Sequence, residues 1–553
     1  MTEGKEIGTG APDTAAALSV AATGVWKGLH PGMALAAKGM VLVFVVLSVA
    51  FLDQAGVLYS EVRAWIESTL DWYYVLTVCV AVFVSLFLMC SRYGNYRLGD
   101  DDARPEFSTF SWLAMLFSAG LGIGLLFFSI AEPLYYLDNS APGGYPNNPH
   151  ADRAGALLLD VQRAEHAVRV TYMHWGIHAW SVYVIVGLCL AWFGFRKKLP
   201  LTLRSALYPV IGDRIYGTPG HLVDLLAVFG TVFGVATSLG LGVKQMGAGL
   251  DTLFGLDPGI VTQIGLIAAI STVATLSAVS GVGRGIRIIS EWNVYLTVVL
   301  LGFFLFFGPT QWLLGFFATT AGDYLWAVIP MGFWTAADDA TETWQSNWTV
   351  FYWGWWISWA PFVGMFIARI SRGRKLREFV AGAMFVPTGL GVFWIALLGG
   401  NAIHLELWAD GGAGTAGIMD LVRGGNLEAA LYGTIASMSH LSWLVWLISA
   451  LATFLLATWF ITSSDSGTLV ITTMLSMGDD HPPQRFRVVW GLGQGLVAAV
   501  LLLAGGLQAL QTASIVAALP VSIVLLFMMY GLLRSLALDS GAVTATAGSA
   551  QTD

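Results

Sequence analysis

Residues 351–359 read FYWGWWISW, six aromatic side chains in nine positions, four of them tryptophan. As a helix this stretch makes about two and a half turns. Tyr352, Trp355 with Trp356, Trp359, Phe362 and Phe366 recur at three- and four-residue spacing, so the rings stripe one face. What that face does depends on what surrounds it.

The surroundings are apolar. Of the 553 residues, 56% are hydrophobic and only 11% charged, with a mean hydropathy of +0.69; a soluble chain carries roughly twice that charge. Apolar runs near 20 residues, about what a 30 Å hydrocarbon layer requires of a helix, recur from residue 34 to residue 534. The reading is an all-α polytopic membrane protein of 12 transmembrane helices. The spans fall at 34–53, 72–91, 110–134, 170–194, 222–250, 259–280, 292–317, 349–369, 379–400, 441–463, 488–507 and 513–534. Glu3, Glu6 and Asp13 near the start, with no basic opening, predict no removable signal peptide. Cys79, Cys90 and Cys189 lie in apolar runs and imply no disulfide framework.

Charge sets the orientation. Alternate loops hold 17 basic residues, among them Arg92, Arg97, Arg104, Arg196–Lys198, Arg372–Lys375 and Arg485, against five in the opposite loops. The positive-inside rule puts the first set, and so both termini, in the cytoplasm. The net charge of −8 implies no nucleic-acid partner. No soluble segment exceeds about 40 residues and no GxxxxGK[ST] loop exists. A secondary transporter or a channel remains, working inside the lipid bilayer.

Depth now separates the tryptophans. Trp356 lies thirteen residues before Arg369, roughly 20 Å along a helix, and Trp359 roughly 15 Å. An interfacial belt accounts for Trp348 and Trp353 but not for rings at mid-membrane. The fourth span adds 174-HWGIHAWSVY-183, with Trp175, Trp180 and Tyr183. His174 and His178 have metal-ligand spacing, yet no further ligand completes a site. Converging rings on two helices without a carboxylate suit a quaternary ammonium, a cation that donates no hydrogen bond and is held by ring faces.

Two polar interruptions accompany the rings. In 118-SAGLGIGLLFFSIAEP-133, Gly120, Gly122 and Gly124 alternate, which reads either as tight packing or as an unwound stretch lining a site. In 458-TWFITSSDSG-467 the hydroxyl-rich run reads as a break with oxygen ligands for an ion, or as hydroxyls bonded back to their own helix. An intramembrane enzyme using Ser463, Ser464 or Asp465 would lack a histidine partner and a GxSxG elbow; no enzyme is expected.

The segment 348-WTVFYWGWWISWAPFVGMFIARISRGR-374, with the glycine stretch, HWGIHAW and ITSSDSG in that order, resembles the betaine/choline/carnitine transporter family from about residue 34 onward. The resemblance implies a LeuT-like fold of inverted five-helix repeats preceded by two extra helices. The divisions would be 1–33 (cytoplasmic tail), 34–109 (two extra helices), 110–317 (first repeat), 318–348 (outer connecting segment), 349–534 (second repeat) and 535–553 (cytoplasmic tail). It implies an aromatic box of Trp175, Trp180, Tyr183 and Trp356, with Trp355 and Trp359 along the path and Gly120, Gly122 and Gly124 beside it. One sodium site would use Ser118, Leu121, Thr462 and Ser463. A second would use Thr231 and Phe362, but Val235 stands where the family has a second threonine and offers no oxygen.

The family further implies a homotrimer in the bacterial inner membrane, no cofactor, and Na⁺ or H⁺ as coupling ion. Gly124 favours glycine betaine, an osmoprotectant, because choline carriers tend to have Asp there. Choline or dimethylsulfoniopropionate uptake driven by protons is the alternative, and substrate/product exchange a more remote one. The 19 residues after Arg534 include no basic residue, so no osmotic switch of the long basic-tail type is expected. Lys244 is expected to snorkel to the interface.

Overall fold

The structure is a computed structural model and describes residues 20–120, 122–138, 159–279, 283–336, 339–409, 416–479 and 482–549. Among them the only non-helical pairings are two isolated bridges. Helix α1 (Pro31–Ala50) begins with proline, which has no N–H to lose there, and His30 caps it by accepting the Met33 N–H at 3.3 Å. Helix α2 (Leu52–Cys90) has 39 residues, so the expected span 72–91 is only its second half. Its first half is polar on one side, and Arg63 there bonds Glu67 at 2.6 Å and Asn347 at 2.9 Å.

The third expected span is two helices, α3 (Thr109–Gly120) and α4 (Ile123–Leu137), interrupted within the glycine stretch. The fourth is also broken, into α5 (Asp160–Trp175) and α6 (Ile177–Ala191). The reason lies outside the span. A β-carbon on Gly176 would collide with the Tyr324 hydroxyl and approach the Tyr172 carbonyl to 2.6 Å, and the freed N–H of Ile177 donates to the Tyr324 oxygen at 2.8 Å. Helices α7 (Thr218–Phe254), α8 (Ile260–Val279) and α9 (Gly283–Phe306) follow.

The expected span 292–317 ends early, at Phe306. Gly308 and Pro309 stop it, Asn401 donates to the Phe304 carbonyl at 2.8 Å, and α10 (Thr310–Gly332) starts afresh. The first half of the 318–348 segment read as a connection is therefore helix, through Gly332. A wide π-type turn over Ser346–Val350 leads into α11 (Phe351–Arg369). Then come α12 (Val386–Leu407), α13 (Ser442–Leu475) and α14 (Gln484–Ser549).

Helix α13 corrects one expectation. It is continuous through 462–468, and the hydroxyls of Thr458, Thr462, Thr468 and Thr472 donate to carbonyls three or four residues back at 2.7–3.1 Å, so they are satisfied without a break. The break is in α14 instead, where Gly505 and Gly506 leave helical geometry and Gly506 takes φ 60°, a left-handed conformation suited to glycine.

Nine helices among the described residues are long and apolar enough to cross a membrane. The tryptophan-rich α11 is not one of them, since indoles and phenols score as polar on a hydropathy scale. Burial tells otherwise: every residue from Phe351 to Met365 is buried, and α11 packs against α6, α7 and α14. Its approach to α7 is close because Gly230 and Gly234, at four-residue spacing, face the Ser358 carbonyl and the Trp359 ring.

The basic loops meet at one end of the bundle. Leu98 and Arg374 share a backbone bond at 2.9 Å, Lys198 pairs with Asp100 at 2.9 Å, Lys197 with Asp539 at 2.5 Å, and Arg485 reaches the Lys27 carbonyl at 2.9 Å. Loops from four places in the chain and both terminal segments thus share one face.

Candidate substrate site in the aromatic core

The stripe on α11 meets α5 and α6 at Trp356. Its ring stacks on Trp355 (4.9 Å between centroids, 12° between planes) and lies at a steep angle to Trp175 (4.9 Å, 72°) and to Tyr183 (6.3 Å, 78°). Trp180 adjoins Tyr183 at 5.5 Å, and Trp359 adjoins Trp355 at 6.3 Å. All six are buried. The Trp356 N–H donates to the His174 carbonyl at 2.8 Å, two residues before the Gly176 break. The break turns α5 and α6 so that Trp175, on one side of it, and Tyr183, on the other, reach the same ring. The six aromatic residues expected from the sequence are therefore one cluster.

The glycines lie against it. A β-carbon on Gly124 would stand 2.5 Å from the Trp355 ring and 2.9 Å from that of Trp175, and one on Gly122 would touch Trp459 at 3.7 Å. Gly120 ends α3. The hydroxyl of Tyr183 and the indole N–H groups of Trp355 and Trp359 are buried and find no hydrogen-bond partner among the described residues.

One group at the site was missed from sequence. Glu132 on α4 is fully buried, and its carboxyl group accepts hydrogen bonds from the Tyr352 hydroxyl (2.5 Å), Trp175 Nε1 (3.0 Å) and the Tyr136 hydroxyl (3.0 Å) and shares one with His174 Nδ1 at 2.8 Å. Helices α5 and α11 carry no carboxylate at the rings, but α4 brings one behind them. The signal was present: an acid inside a membrane span is a functional candidate on that ground alone, and it stands in the quoted SIAEP. His174 places its other ring nitrogen 3.1 Å from the Thr349 hydroxyl. Both its nitrogens are thus engaged, while His178 lies against Trp353 at 5.6 Å.

The residues expected at the sodium sites are less gathered. Leu121 and the side chain of Ser118 lie outside the described residues. Thr462 donates to the Trp459 carbonyl at 2.9 Å, and Thr231 to the Ala227 carbonyl at 2.8 Å, which leaves both oxygens able to accept or ligate. Ser463 is half-buried on the same helix turn. Phe362 packs edge-on to Trp359 at 5.5 Å. Val235 points toward α13, where a β-carbon on Gly467 would meet it at 3.2 Å. Lys244 does not snorkel; it pairs with Glu428 at 3.3 Å, both side chains mostly covered.

A family model for betaine/carnitine/choline transporters matches residues 33–541. The chain is 42% identical over 478 residues to the glycine betaine transporter OpuD of Bacillus subtilis, covering 86% of this chain and 88% of that one. It is 39% identical over 505 residues to a probable glycine betaine transporter of Desulfitobacterium hafniense (91% and 96%), and 37% identical over 514 residues to the high-affinity choline transport protein of Escherichia coli K12 (92% and 72%). With the polytopic fold and the buried aromatic cluster in place, these matches identify a multi-pass membrane transporter and not an enzyme: the chain belongs to the betaine/carnitine/choline transporter family.

Proposed function

We propose that the protein is an ion-coupled symporter that imports a methylated quaternary ammonium zwitterion, glycine betaine foremost, by alternating access around the cage at Trp356. The observation that carries this reading is the convergence of Trp175, Trp355 and Tyr183 on that one buried ring. Ring faces hold a trimethylammonium head that cannot donate a hydrogen bond. The unpaired donors at Tyr183, Trp355 and Trp359 suit the carboxylate at the other end of a zwitterion. The rings touch one another, so the head enters by displacing one of them, as a site that opens alternately requires.

The helix inventory supports the repeat architecture. Counting each broken helix once, five spans lie between Thr109 and Phe306; five more lie between Phe351 and Ser549, if the arms of kinked α14 are counted separately. With α1 and α2 before them this makes twelve, ten of them in LeuT-like inverted five-helix repeats joined through α10. The shared face of the basic loops supports cytoplasmic termini in a bacterial plasma membrane. A homotrimer, and Na⁺ held by Ser118, Leu121, Thr462 and Ser463, rest on the family resemblance.

A second reading is proton-coupled choline uptake. It is favoured by Val235, which removes an oxygen beside Thr231, and by the similarity to the Escherichia coli choline protein. Uptake of labelled glycine betaine and of choline into proteoliposomes, with and without an inward Na⁺ gradient at fixed pH, separates the two. Betaine uptake that requires Na⁺ supports the first reading. Choline uptake that follows a proton gradient and ignores Na⁺ overturns it.

A further inference from the structure

Glu132 has an unusual set of partners for a buried acid. A carboxylate has about four acceptor positions, and here all are taken, two by phenol hydroxyls, one by an indole N–H and one by an imidazole nitrogen. The indole N–H can only donate, and the two phenols and the imidazole are placed where they can donate as well, a set of partners that suits a carboxylate. Among the described residues no lysine or arginine bonds it. The one group at contact able to carry positive charge is the His174 imidazole, 2.8 Å away, and a buried charge in low dielectric acts strongly on its surroundings.

Two of its donors belong to the cage wall. Trp175 lies 4.9 Å from Trp356, and Tyr352 stacks on Trp356 at 5.7 Å and 28° and meets Trp175 at 5.5 Å and 71°. An indole N–H or phenol O–H that donates to a carboxylate returns electron density to its own ring. The ring face becomes more negative, and a cation over that face is held more tightly.

Resting on the reading of the cage as a quaternary ammonium site, we propose that Glu132 is a specificity-determining residue acting through Trp175 and Tyr352. It touches no ligand, yet by accepting their hydrogen bonds it makes these rings better cation binders and biases the site toward a positively charged head over a neutral one of the same shape. The same bonds orient both rings, since they tie α4 to α5 and α11.

The test separates charge from scaffolding. Glycine betaine and 3,3-dimethylbutanoate differ only in a trimethylammonium against a tert-butyl head. Their binding to purified full-length protein is measured by tryptophan fluorescence and by competition against labelled glycine betaine. Wild type, Glu132→Gln and Tyr352→Phe are compared; the last keeps its ring and loses one hydroxyl, so it stays informative if Glu132→Gln does not fold. Expected is a weakening of glycine betaine binding by about three- to thirtyfold for Glu132→Gln, and less for Tyr352→Phe. Binding of the tert-butyl isostere stays within about twofold, so the ratio between the ligands collapses. Equal losses for both ligands reduce Glu132 to a scaffold and overturn the proposal, as does unchanged betaine binding in both variants. If wild type binds neither glycine betaine nor choline, the cage reading fails first, and that result is distinct from the others.

Discussion

Gly124 lies directly under Trp355: a β-carbon at 124 would stand 2.5 Å from the far edge of that indole and 2.9 Å from that of Trp175. Both are rigid, buried rings and not the loose ends of flexible chains, so even alanine must push a cage wall aside. Overpacking of this kind costs about 1–3 kcal/mol. Gly124→Ala is expected to lower glycine betaine uptake about tenfold while the protein still folds. Gly124→Asp should lower it further and raise the choline-to-betaine ratio. Competitive uptake of the two labelled substrates checks both.

Trp356 joins the rings of three helices, with Trp355, Trp175, Tyr183 and Tyr352 all within 6.3 Å of it. Trp356→Leu keeps an apolar side chain and removes the π face. Each cation–π contact contributes ~0.5–2 kcal/mol, so binding should weaken by about two- to thirtyfold. Trp356→Phe should fall between wild type and Leu, having a ring but no N–H for the His174 carbonyl. Equilibrium dialysis with labelled substrate measures the order; Leu binding as tightly as Phe would refute it.

How far such a site can be read in advance varies residue by residue. The stripe on α11, the partner rings at 175–183 and the interruption at 120–124 follow from spacing and glycine content, which are local properties. Glu132 is different. Its own position was visible, but its donors come from 42, 43 and 220 residues away as well as from the next turn of its helix, and no periodicity brings those together. The continuity of α13 was likewise undecidable locally, because back-bonded hydroxyls and a broken helix use the same residues.

The Gly176 break gives a stability prediction. Gly176→Ala sets a methyl against the Tyr324 hydroxyl and 2.6 Å from the Tyr172 carbonyl. Removing the hydroxyl by Tyr324→Phe relieves only the first clash, and it also strands the Ile177 N–H. Gly176→Ala should lower the melting temperature and abolish uptake, and the double variant should not recover it. Full rescue by Tyr324→Phe would show that the backbone contact is unimportant.

Asp138 at the end of α4 is 1% exposed and takes two bonds from Arg423, at 3.0 and 3.1 Å. Arg423→Ala leaves a buried carboxylate without that partner. The Arg423 side chain is 45% exposed, so solvent screening reduces the loss to about 1–2 kcal/mol, below that of a fully buried pair. The bidentate geometry makes Lys a poor substitute. Thermal unfolding in detergent should rank wild type above Arg423→Lys above Arg423→Ala.

His30 links the N-terminal segment to the bundle: its N–H donates to the Leu475 carbonyl at 2.9 Å, and its ring lies 4.7 Å from that of His221, which faces Arg204 and the Arg204–Asp224 pair. Burial, then the charge of Arg204, hold the imidazole below its ordinary 6.5. Between the lowered native pKa and 6.5 the undocked segment binds more protons than the docked one. Docking is therefore fully favoured above pH 6.5 and weakens as pH falls below it. Hydrogen exchange in residues 20–30 should quicken from pH 7.5 to 5.5 after correction for intrinsic rates. His30→Gln should flatten that dependence.

Composition, the length of the apolar runs and the three- and four-residue spacing of the rings were enough to establish a polytopic helical bundle with a buried aromatic face, because each acts within one helix and needs no partner to be recognised. The early end of α9, the break at Gly176 and the carboxylate behind Trp175 were settled by packing. Each depends on a group from another helix, Asn401, Tyr324 or Tyr352, arriving within hydrogen-bond distance. Which distant group fills a given space is a property of the assembled bundle, where a buried polar atom must find its partner or lose stability.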